Sequence, residues 1–145
     1  MIVSCFSFIE RIATRAEVDL LYDACAFLRQ QALATGMQQT LSFDLNHHAY
    51  HYSSHEHQLS SFVTFGTKQG AKGPPSTPTH LIQSPISFKN QRIDFSPTGI
   101  ISAGTAYIID RKNRYSYAVS SAVAPFSKIR TYLYRDSSWI ALSSL

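Results

Sequence analysis

Five histidines fall within eleven residues, namely His47, His48, His51, His55 and His57. Imidazole at such density is the first place to look for metal chemistry. His55-Glu-His57 is the tightest pair, which makes His55 and His57 the candidate ligands. Along an extended strand, side chains alternate between faces, so His48 and His51 would point to opposite sides. No cysteine pair and no helical His-Glu-x-x-His pattern accompanies them. The cluster therefore reads as an exposed, histidine-rich hairpin and loop, with no metal and no cofactor expected.

A nucleophilic enzyme would need an activated serine or cysteine beside a base. The chain has no Gly-x-Ser-x-Gly elbow. Cys25 lies on the apolar stripe of a predicted helix, where a small buried thiol is the ordinary reading. Gly66, Gly70 and Gly73 lack the spacing and the strand-to-helix setting of a phosphate loop. The nine carboxylates include no evident acid/base pair. The expectation is a protein that is not an enzyme.

Lys128-Ile-Arg-Thr-Tyr-Leu-Tyr134 is a further candidate. Alternation puts Lys128, Arg130, Tyr132 and Tyr134 on one face, and Ile129, Thr131 and Leu133 on the other. Two cations and two aromatic rings on one strand face could contact a nucleic-acid backbone and stack on bases. Lys128, Arg130 and Arg135 are thus candidate DNA contacts. The plainer alternative is a solvated face whose tyrosine rings cover their neighbours.

The elements that would position these residues divide at Gly36. From Phe6 to Thr35 there is no Gly or Pro. Phe8, Ile12, Ala16, Leu20, Ala24, Leu28 and Ala32 recur every fourth residue, predicting one long helix that packs this stripe on a sheet. Gly36 is placed to cap it. Beyond it, Thr40–Leu45 and Ala49–Ser53 predict a β-hairpin, and Leu59–Phe65 a third strand. Residues 66 to 85 hold three Gly and four Pro, a loop by composition. Strand signals resume at Ile86–Phe88, Arg92–Phe95, Thr105–Asp110, Tyr115–Val119, Lys128–Tyr134 and Trp139–Leu142, with Ser96-Pro-Thr-Gly99 a turn. The predicted class is α+β, a long N-terminal helix (1–36) on a globular antiparallel β domain (37–145).

The chain is 145 residues long with a formal net charge of +4, which suits one compact domain and permits attraction to anionic partners. Cys5 and Cys25 are twenty positions apart on the predicted helix, ~30 Å, beyond the ~7 Å reach of a disulfide. No stretch approaches the ~20 apolar residues of a membrane span, so the chain as written reads as soluble.

Several segments, taken in order, resemble the H-type minor pseudopilins of type II secretion and the FimT-like minor pilins of type IV pili. Leu28-Arg-Gln-Gln-Ala-Leu-Ala-Thr-Gly36 is similar to the end of their post-membrane helix, and Thr40-Leu-Ser-Phe-Asp44 to their first strand. Ile93-Asp-Phe-Ser-Pro-Thr-Gly99 looks like their F-x-P-x-G turn, and Ser102–Ile109 like the strand after it. Ser127-Lys-Ile-Arg130 stands where they carry G-R-x-R, with a lysine that keeps the charge and loses the arginine fork.

The resemblance implies a structural subunit of a type II secretion or type IV pilus fibre, acting in assembly and protein transport. The alternative it implies is a DNA-binding minor pilin of a competence pilus. Expected partners are other pilin or pseudopilin subunits and an inner-membrane assembly platform. Family members also carry a leader and a hydrophobic membrane helix, and Arg11–Glu17 is too polar for that role. Leader and span are therefore expected upstream, with the β domain in the periplasm. Assembly and packing would fall to the helix-stripe positions Phe8, Ile12, Ala16, Leu20 and Leu28.

Overall fold

A computed structural model describes residues 2–122 and 128–144. Helix α1 runs from Ile2 to Thr35, four residues earlier than predicted. It ends where expected: the Gly36 amide donates to the Ala32 carbonyl at 3.0 Å, with Gly36 at φ +68. That left-handed conformation has no steric cost without a Cβ.

The strands that follow are β1 (Gln39–Asp44), β2 (Ala49–Tyr52), β3 (His55–Gln58), β4 (Val63–Phe65), β5 (Lys72–Gly73) and β6 (His80–Leu81). Then come β7 (Arg92–Phe95), β8 (Gly104–Asp110), β9 (Ser116–Ser121), β10 (Ile129–Arg135) and β11 (Ser138–Ser144). They form a four-stranded sheet in the order β3-β2-β1-β7, a five-stranded sheet in the order β11-β10-β9-β8-β4, and the small ribbon β5-β6. Every pairing between them is antiparallel. The α+β class and the hairpin follow the prediction.

Two strand assignments differ. Ile86–Phe88 makes only an isolated bridge, Ile86 to Ala106, because the chain turns directly after it at Lys89–Gln91, where Asn90 and Gln91 have positive φ. Leu59–Phe65 is strand only from Val63, the segment before it being a turn in which the Val63 amide bonds the Ser60 carbonyl. Three strands were unpredicted: β5 and β6, inside the segment expected to be loop, and β3, the histidine segment. As an edge strand with three of its four residues exposed, β3 carries no apolar alternation to read.

Both sheets and α1 share one core. Val18, Leu21, Cys25 and Leu28 come from the helix, Leu41 and Phe43 from β1, Ile108 from β8 and Val119 from β9. A smaller cluster lies on the outer face of the five-stranded sheet, where Tyr107, Ala118 and Tyr132 pack with Ile82 and Trp139. Trp139 Nε1 donates to the Lys72 carbonyl at 2.8 Å, tying the β5-β6 ribbon over that face. The Tyr132 side of β10 is thus partly covered, and Tyr132 itself is buried.

Candidate functional site

The helix stripe needs correction. Leu28, Ala24 and Ala32 are buried, but Phe8 (63% exposed), Ile12 (52%) and Leu20 (47%) are not, and Ala16 is exposed with them. A helix advances ~100° per residue, so a repeat of four drifts ~40° at each step and winds away from any fixed neighbour. The face that meets the sheets follows the true 3.6 period through Glu10, Thr14, Glu17, Leu21, Leu28 and Ala32, all buried. To one side of it, Ile9, Ile12, Ala16 and Leu20 form a second, exposed apolar strip, and Phe27, 46% exposed, meets the Tyr52 ring with centres 6.4 Å apart. A groove of about 330 Å³ runs beside this strip, bordered by Phe8, Arg11, Ile12, Arg15 and Ala16 on the helix and Tyr117 on β9. Burial pushes the Tyr117 phenol up, and the cations Arg15 and Arg11 act against that.

Two glutamates that look like solvent-facing positions in the sequence lie on the buried face. Glu17 Oε2 bonds His57 Nε2 at 2.7 Å, and Oε1 accepts from the Ser60 amide at 2.9 Å. Glu10 Oε1 meets Lys112 Nζ at 3.0 Å. Their signal was available in the 3.6-residue spacing from Glu10 through Thr14 and Glu17 to Leu21.

The structure disperses the histidines. His57 is taken by Glu17, and His48 Nδ1 lies 3.1 Å from Thr64 Oγ1. His47 Nδ1 lies 2.7 Å from Asp44 Oδ2, holding the Asp44 carboxyl below its ordinary value. His55 stacks obliquely on Tyr52 with ring centres 5.6 Å apart. His55 and His57 share one side of β3, paired opposite Tyr52 and Tyr50. Among the described residues, no three His, Cys, Asp or Glu side chains are grouped to hold a metal ion.

The candidate DNA contacts are also separated. Lys128 and Arg130 stand exposed at the start of β10, and Arg135 at its end, ~20 Å away at strand spacing. Ser127 lies outside the described residues. Arg135 instead joins Arg11, Lys68 and Arg114 around a cleft of about 220 Å³ walled by Tyr115, Tyr117 and Tyr134. Sequence reading missed this set because its cations come from four distant segments. A larger cleft, about 430 Å³, opens under the β5-β6 ribbon, where Ser84, Ser87, Thr105, Ser120 and Tyr107 contribute hydroxyls and no Asp, Glu, Lys or Arg takes part.

Among the described residues, no helix is long and apolar enough to cross a membrane. Compared with protein-family models, curated protein sequences and solved structures, the chain matches none of them.

Proposed function

We propose that the chain is a structural minor pilin or pseudopilin subunit of a type II secretion or type IV pilus fibre. The observation that carries this reading is the two-faced helix. Its inner face is committed to the core, while Ile9, Ile12, Ala16 and Leu20 leave an apolar strip facing outward over about three turns. Soluble domains rarely expose a contiguous apolar surface on this scale unless another molecule covers it. A long N-terminal helix beside antiparallel sheets suits a fibre in which neighbouring helices bury such strips against one another. A membrane segment N-terminal to α1 would anchor the subunit before assembly, with the β domain in the periplasm.

The test mixes the chain with pilin-like subunits encoded in the same genome and measures complexes by sedimentation velocity. Leu20→Arg is expected to abolish the complexes with little change in the thermal midpoint, because Leu20 is half exposed and lies outside the core cluster. Complexes that survive Leu20→Arg and Ile12→Arg together overturn the proposal. The alternative of a DNA-binding minor pilin would act through Lys128, Arg130 and Arg135. It draws support only from Arg135, since the other two stand at the far end of the strand.

A further inference from the structure

The surplus positive charge gathers at one pole, around the N-terminal half of α1. Arg11, Lys68, Arg114 and Arg135 border the tyrosine-walled cleft. Arg15 lies on the adjoining groove, and Arg111 and Lys112 on the β8–β9 turn beside it. The turn is held there by Lys112 on Glu10, by Ser7 Oγ 3.1 Å from Tyr115 Oη, and by Arg11 over the Tyr115 ring. These seven cations face four carboxylates: Glu10 paired with Lys112, Asp19 paired with Arg15, Asp110 buried, and Asp136 exposed on the wall of the cleft itself, where four cations outnumber it. The pole thus carries three of the four surplus charges of the chain.

Apolar side chains stand out beside these cations. Phe6 is 53% exposed, Phe8 63% and Ile9 48%, all on the first turns of the helix, and Phe62 is exposed next to Arg111. Bulky apolar groups ringed by arginine and lysine are the composition that binds the boundary of an anionic bilayer. The apolar groups enter between headgroups, and the cations meet lipid phosphates at the same depth. Tyrosines suit that level because the ring is apolar and the hydroxyl wet. A nucleic acid would also use the cations and could stack bases on the phenyl rings, whereas the aliphatic Ile9 beside them suits the headgroup boundary of a bilayer.

We propose that this pole lies against an anionic lipid surface, with phosphate headgroups in the Arg11–Lys68–Arg114–Arg135 cleft and Phe6, Phe8 and Ile9 in the headgroup layer. The inference does not rest on the assembly reading, since it concerns a different partner and a surface that shares only Ile9 with the assembly strip.

The test is co-sedimentation of the whole chain with vesicles of phosphatidylcholine alone, or with phosphatidylglycerol added, at low and high salt. Binding is expected only with phosphatidylglycerol and is expected to weaken with salt. Each lost cation should lower partitioning about fivefold, so Lys68→Gln/Arg114→Gln should bind about 25-fold more weakly. Phe8→Ser should weaken binding to the same vesicles, and circular dichroism of each variant checks that the fold is kept. Equal binding to phosphatidylcholine overturns the proposal, and so does binding unmoved by the cation variant. Capture of a single-stranded oligonucleotide with no vesicle binding also overturns it, in favour of a nucleic-acid site.

Discussion

Glu17 shows what a single side chain does here. Its carboxylate spans from α1 to His57 on β3 and to the Ser60 amide after it, fastening an edge strand that has little apolar contact of its own. Hydrogen bonds to a charged group are worth ~1.5–3 kcal/mol, and removing this one leaves the Ser60 amide unpaired. Glu17→Ala should therefore lower the urea unfolding free energy by about 2–3 kcal/mol, and Glu17→Gln by less, since it still accepts from Ser60. Equal stability of wild type and Glu17→Ala would remove this role.

Cys25 gives a second prediction at this scale. Burial pushes its thiol from 9.0 up to about 12. The folded state holds the proton that the unfolded chain loses, so its contribution is fully present below pH 9 and is lost as pH rises to about 12. The buried Tyr50 phenol is also pushed up, from 10.0, and acts in the same direction. Thermal midpoints should fall above pH 9, and in Cys25→Ala the fall should begin about one unit later. A thiol reagent should modify the exposed Cys5 quickly and Cys25 only on unfolding.

At the scale of the element, the helix is defined by which period its residues obey. Leu20 and Leu28 both belong to the four-residue repeat, yet Leu28 is fully buried and Leu20 is 47% exposed. Leu28→Ala should cost ~2–5 kcal/mol in urea unfolding. Leu20→Ala should stay within ~0.5 kcal/mol. Equal costs would mean that the helix presents the repeat, and not the 3.6-residue face, to the sheets. The elements with a strong local signature were readable from the chain: the Gly-capped helix, the hairpin, and the turn at Gly99, whose φ is +93. Strand β3 was not, because an exposed edge strand selects no apolar alternation, and neither was the β5-β6 ribbon, held by Trp139 from 67 residues away.

For the whole molecule, the two proposed surfaces predict a double dissociation. Leu20→Arg should abolish subunit association and leave vesicle binding intact, whereas Lys68→Gln/Arg114→Gln should do the reverse. Sedimentation velocity and vesicle co-sedimentation on the same preparations check both arms. A single variant that removes both activities while keeping its fold would mean one shared surface.

The amino-acid order alone determined the class, the long capped helix and the main antiparallel strands. Each rests on contacts or conformational preferences local in the chain. Only the tertiary structure decided which helix face is buried, that His57 serves Glu17, and that Arg135 belongs with Arg11, Lys68 and Arg114 and stands far from Lys128. Those are contacts between segments tens of residues apart. No local period encodes them, because they depend on how the two sheets and the helix close around one core.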